Sequence, residues 1–153
     1  MACNSYLLDT NVVIDAIVDP RPQHVFAERL ITCSLVKSLE LYIPTTSIKD
    51  AYYVLTRLKL DEPKIRDGIS AMSDLPCIWM ADLLESDVRD ALRSDEPDLE
   101  DGMIRAMAER LSVDAIVSRD IRAFKNSPIP RISPAEALLA HGVTVATDDK
   151  PQY

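Results

Sequence analysis

The sequence predicts an α/β protein, an α/β/α sandwich on a central parallel sheet of four to five short strands. Three observations lead there. Short apolar runs that stop abruptly, among them Tyr6-Leu7-Leu8, Leu41-Tyr42-Ile43 and Ala115-Ile116-Val117, have the length and residue types of buried strands. Between them lie longer stretches whose apolar residues recur at helical spacing. Strands alternating with helices pair in parallel through right-handed crossovers, which puts helices on both faces of the sheet. No internal repeat, low-complexity segment or interior linker divides the 153 residues. One domain is expected over residues 1–142, with 143–153 as a flexible C-terminal tail.

The elements follow in order. Residues 5–8 read as a buried strand and 11–17 as a short helix, with Thr10 or Asn11 as its expected N-cap. Asp19-Pro20-Arg21-Pro22 breaks the pattern, and Val25, Phe26, Leu30, Ile31, Leu35 and Leu39 then mark an amphipathic helix from Gln23 to Leu39. Leu41-Tyr42-Ile43 is a strand stopped by Pro44, and Thr45-Thr46-Ser47 opens a helix through Ala51, Val54, Leu55 and Leu58. A helix over 64–73 precedes a third strand at Cys77–Met80, and Val88, Ala91 and Leu92 belong to an acid-rich helix. Met103 to Leu111 form another helix, Ala115–Val117 a fourth strand and Ile129 to Ile132 a short fifth. Ser133-Pro134-Ala135-Glu136 combines a cap, a proline in the first turn and a capping-box Glu, so it opens the last helix, which ends at His141-Gly142.

Composition narrows the class. With 47% hydrophobic and 27% charged residues the chain is an ordinary globular one. No apolar stretch approaches the ~20 residues of a membrane span, so no membrane role and a cytoplasmic location are expected. Cys3, Cys33 and Cys77 are odd in number and far apart, which argues for reduced thiols and against a disulfide framework or zinc site. The net charge of −8 is local in origin: nine acids fall between Asp82 and Asp101 against two bases, Arg89 and Arg93. Elsewhere the charges nearly balance, so the negative total does not exclude a nucleic-acid substrate.

Four acids fall at strand ends or helix starts. Asp9 follows the first strand, Asp50 lies in the first turns of the helix after the second, Asp101 starts the Met103–Leu111 helix, and Asp120 follows the fourth strand. In a parallel sheet these positions lie toward one edge, the edge at which open α/β sheets bind ligands. Carboxylates gathered there raise one another's pKa, and a divalent cation removes the conflict. Oxygen ligands with open positions suit Mg²⁺ or Mn²⁺. Such an ion lowers the pKa of bound water and stabilises charge on a phosphate under attack, chemistry suited to phosphodiester hydrolysis.

The segments LLDTNVVID, TTSIKDAYYVL, DLEDGMIRAMAERLSVDAIVSRDIRAF and KNSPIPRISPAEAL, in this order and spacing, resemble the PIN-domain ribonucleases. That family includes the VapC-like toxins of toxin–antitoxin pairs. The resemblance runs from about Tyr6 to Leu139. It implies an α/β/α sandwich, Mg²⁺- or Mn²⁺-dependent cleavage of RNA, a homodimer and an antitoxin protein as partner. Carried over by position, the metal-holding acids are Asp9, Asp50, Asp101 and Asp120, with Asn11 and Ser118 as polar neighbours that orient ligands or water. The second position is often Glu in the family, so Asp50 is one methylene short. Asp98, three residues before Asp101, is a supporting candidate on the same helix turn.

Other roles are open to these residues. Asp9 can be a helix cap, Asp50 a favourable first-turn charge, and Asp101 an i, i+4 partner of Arg105. Tyr53 and Phe124 are expected in the core and His24 and His141 at the surface, while Tyr52 has helical core spacing or stacks on a base. Arg57, Arg105, Arg119, Arg122 and Lys125 are the bases near the proposed edge. A haloacid-dehalogenase-like phosphatase would need a second Asp where Asn11 stands. The remaining rivals are a non-catalytic PIN-fold module that binds protein or RNA, and a DNA-directed nuclease on the same fold.

Overall fold

The computed structural model describes residues 4–18 and 21–146. Its elements are β1 (Ser5–Leu8), α1 (Thr10–Ile17), α2 (His24–Lys37), β2 (Glu40–Pro44), α3 (Thr45–Arg57) and α4 (Glu62–Ser73). They continue as β3 (Ile78–Ala81), α5 (Glu85–Arg93), α6 (Leu99–Leu111), β4 (Ala115–Val117), β5 (Arg131–Ile132) and α7 (Pro134–Ala140). All strand pairs are parallel, in the order β3-β2-β1-β4-β5. The expected α/β sandwich with a parallel sheet is the fold observed.

Strand side chains alternate between faces, and the core divides accordingly. Tyr6 and Leu8 of β1 join Leu41, Ile43, Ala115 and Val117 in a cluster covered by α1, α2, α3, α4 and α7. Leu7 and Ile116 point the other way, against Ile104, Met107 and Ala108 of α6 and against Phe124. α5 packs on α6. The strand order reverses between β1 and β4, because successive strands step outward from β1 on one side and from β4 on the other. Asp9 and Ser118, each one residue past its strand, therefore face each other across the switch point.

Several boundaries differ from the sequence reading for local reasons. α6 begins at Leu99 rather than Met103, because the Asp98 carboxylate accepts from the N–H groups of Glu100 and Asp101 and caps the helix. α2 stops at Lys37, where Ser38 turns left-handed at φ 56° and releases Leu39 into the core. β5 is only Arg131–Ile132, and Ile129 packs against the α6 face instead. The residues before β5 hold Phe124 at φ 63°, a left-handed conformation unusual for a bulky side chain. Val143 and Val145 pack against the first core cluster, while 147–153 of the expected tail lie outside the described residues. Cys33 and Cys77 are free and buried. Among the described residues, no helix is long and apolar enough to cross a membrane.

Candidate active site

Asp9 is the best-held of the candidate residues. Its backbone N–H donates to the carbonyl of Val117 at 3.0 Å, which ties the end of β1 to the end of β4. One carboxylate oxygen accepts from the N–H of Thr10 at 2.8 Å, so Asp9 itself is the N-cap of α1, not Thr10 or Asn11. The other oxygen accepts from Ser118 Oγ at 2.7 Å and Asn11 Nδ2 at 3.0 Å. Asn11 also donates to Ser118 Oγ at 3.3 Å and accepts from the N–H of Arg119 at 3.2 Å. The Thr10 hydroxyl is used elsewhere, donating to Ser47 Oγ on α3 at 2.8 Å. Asp9 is only 8% exposed, and burial raises its pKa against the lowering effect of Ser118, Thr10 and Asn11.

Asp101 stands in the first turn of α6, half-buried, with its carboxyl pushed up to about 7. Burial is the main cause, and the charges of Asp9, Asp98, Glu96 and Asp120 add to it. The i, i+4 alternative is not used, because Arg105 donates to Asp95 and Glu109. Asp120 is more open and differs in sign: the N–H of Arg122, at 2.8 Å, and the Arg122 charge hold its carboxyl below the usual range. Its own N–H donates to Ser118 Oγ at 3.1 Å. Asp9, Asn11, Ser118, Asp101 and Asp120 thus share one electrostatic neighbourhood.

Asp50 stands at its margin. It forms an ion pair with Lys49 at 3.1 Å and faces Glu100, whose pKa is raised by burial first and then by Asp50, Asp98 and Asp9. Glu100 and Glu96 are acids of the site that the sequence reading left in the solvated acid-rich run. Their signal was proximity to the α6 N-terminus, where the first turn aims toward the end of β1. Among the described residues, no three His, Cys, Asp or Glu side chains converge closely enough to hold an ion as they stand.

The sequence reading also passed over Asp15. It is 1% exposed on α1 and accepts from Arg119 Nε at 2.6 Å, with Arg21 at 3.2 Å. A buried carboxylate preceding a Pro-rich break was the available signal, but its arginine lies 104 residues away in sequence. Two further expectations fail. Tyr53 is 56% exposed and turned toward Arg57, because α3 presents this face to solvent. The histidines are half-buried and bonded: His24 Nδ1 to the carbonyl of Asp15 and His141 Nε2 to the Tyr6 hydroxyl, each at 2.8 Å. Phe124 is buried, as expected.

An edge of carboxylates at the switch point of a parallel α/β/α sandwich defines a class, and the chain's membership in it is shown by sequence. The PIN domain family model matches residues 5–122, and the chain belongs to that family. A comparison with curated proteins finds no match. Among solved structures, the fold is similar to Mycobacterium tuberculosis VapC20, described as a sarcin-ricin loop cleaving toxin. The TM-score is 0.64 at 14% identity, over 84% of this chain and 99% of that one. A Klebsiella pneumoniae toxin–antitoxin complex matches with TM-score 0.60 at 17% identity, over 84% and 97% of the two chains. VapBC2 from Rickettsia felis, bound to a DNA fragment from its promoter, matches at 0.58 and 17%, over 84% and 98%.

Proposed function

We propose that this chain is a Mg²⁺- or Mn²⁺-dependent ribonuclease, the toxin of a toxin–antitoxin pair, acting in the cytoplasm as a homodimer. The observation that carries the reading is Asp9, buried at the switch point, oriented by Ser118 and Asn11, and electrostatically opposed to Asp101. Such an arrangement is unfavourable by itself and is relieved by a cation. The donors are carboxylate oxygens, and Mg²⁺ is commonly bound through one or two carboxylates with water completing its shell. The residues fit that mode of binding. Asp9, Asp101 and Asp120 would hold the ion, with Asp50 as the outlying fourth acid. When bound, the ion lowers the pKa of water and neutralises charge developing on phosphate.

The chain's own contributions are positional. Ser118 and Asn11 fix the direction of one Asp9 oxygen, and the N–H of Thr10 fixes the other. The Asp98 cap sets the start of α6, and hence the place of Asp101. The Ser118 hydroxyl ties Asp120 to Asp9, accepting from the N–H of Asp120 and donating to the Asp9 carboxylate. RNA as substrate and an antitoxin as partner are supported by the family and by the VapC-type toxins and complexes that share the fold.

The test is cleavage of a labelled single-stranded RNA and its DNA counterpart in Mg²⁺, Mn²⁺ or EDTA, with Asp101→Asn protein purified in parallel. Metal-dependent cutting of RNA, lost in the variant, is the expected outcome. Cutting of DNA alone would replace the substrate, and RNA cleavage retained in Asp101→Asn would remove the site. Growth arrest on expressing wild type but not Asp101→Asn tests toxicity.

A further inference from the structure

A groove of about 770 Å³ opens beside the carboxylates, on the far side of β4 from β1, lined by Phe26, Arg119, Ile121, Arg131, Pro134 and Glu136 among others. Its two arginines are fastened to the candidate site. Arg119 follows Ser118 and is held by Asp15, while Arg131 Nη1 donates to the Ser118 carbonyl at 2.8 Å. A guanidinium carries five N–H donors, and the hydrogen bonds to Asp15 and Ser118 occupy only part of each set. The one acid of the lining, Glu136, accepts from the N–H of Ser133 in its helix cap and also feels the charge of Arg131. Ile121 is 75% exposed on the rim, and Phe26 is half-buried in the wall. The volume is that of a site for a nucleotide-sized group.

We infer that this groove binds the phosphodiester backbone of single-stranded RNA flanking the scissile bond, an assignment that rests on the ribonuclease reading above. Arg119 and Arg131 contact phosphates, and Ile121 and Phe26 offer apolar surface to the bases. Charge complementarity selects the occupant. On the α3 and α6 side the site is walled by Asp50, Asp98 and Glu100, which repel a polyanion. The β4–β5 side offers fixed cations within reach of Asp120. Single-strand binders combine such a cationic track with apolar surface for the bases.

The experiment measures the affinity of a short fluorescein-labelled single-stranded RNA by anisotropy across a salt series in Ca²⁺, and its cleavage in Mg²⁺. Wild type is compared with Arg131→Gln and Ile121→Glu, and with Val36→Glu on the outer face of α2 as a control. Ile121 is exposed, so its variant does not threaten the fold. Both groove variants are expected to bind about tenfold more weakly, and Val36→Glu is expected to bind and cleave as wild type does. For Arg131→Gln the slope of log K against log salt should shrink by about 0.7, one phosphate contact on a single strand. Ile121→Glu protein that binds and cleaves as wild type does would overturn the groove assignment and leave the ribonuclease reading standing. An acidic peptide as the true occupant would give that same result. Wild type that neither binds nor cuts RNA would remove both.

Discussion

At Asp101, partial burial and four neighbouring acids keep the carboxyl protonated to a pKa of about 7, against its ordinary 3.8. The folded chain therefore holds a proton that the unfolded chain has released between about pH 4 and 7, and stability falls as pH rises through that window. The full rise corresponds to a ceiling of ~4 kcal/mol, which solvent access to a half-buried group reduces to about 1–2 kcal/mol. In EDTA at pH 8, Asp101→Asn is expected to be more stable than wild type by about that amount, measured by urea denaturation. At pH 4 the two should converge. Ser118 acts in the opposite sense on Asp9, because its hydroxyl donates to the carboxylate and lowers its pKa. Ser118→Ala should cut cleavage by about tenfold and move the acidic limb of the pH–rate profile upward. An unmoved limb would show that Asp9 titration does not govern the rate.

At the scale of elements, the placement of Asp101 depends on how α5 and α6 pack. Asp87 of α5 is 2% exposed at its side chain and pairs with Arg110 of α6 at 2.8 Å, while also accepting from the N–H of Leu84. Removing Arg110 leaves a buried charge unpaired. Arg110→Ala is expected to cost about 3 kcal/mol, and Asp87→Asn with Arg110→Met should recover most of it, because Asn still caps α5. Beside the site, a Cβ on Gly102 would meet the Cβ of Ala91 at 3.2 Å and Ser94 Oγ at 3.4 Å. Gly102→Val must push α5 away and is expected to destabilise by about 2 kcal/mol. Both effects are read by urea denaturation. Cleavage should fall with Gly102→Val even at temperatures where the protein stays folded, since Asp101 is the adjacent residue.

Across the whole molecule, the proposed ion site draws its acids from the residues after β1 and β4 and from α3 and α6, so only the folded chain would assemble it. Mg²⁺ should raise the thermal midpoint in proportion to the logarithm of its concentration above Kd. In Asp9→Asn or Asp101→Asn the rise should shrink or vanish. An equal rise in wild type and both variants would place the bound ion elsewhere.

The strands and most helices were readable because buried strands and amphipathic helices write their period directly into the chain, as in Tyr6-Leu7-Leu8 and Met103–Leu111. The order of Asp9, Asp50, Asp101 and Asp120 along those elements was readable for the same reason. By itself the sequence determined the α/β class, the PIN family and the place of Asp9, Asp101 and Asp120 at strand ends and a helix start. Only the tertiary structure decided which groups interact: Ser118 and Asn11 on one oxygen of Asp9, Asp101 within reach of both Asp9 and Glu96, Asp50 at the margin beside Glu100. It also decided that Arg119 faces Asp15 and that Tyr53 turns outward. Periodicity is a local property of hydrophobic burial, whereas charge interactions depend on distances between segments about a hundred residues apart, which only the packing of the sheet and its helices sets.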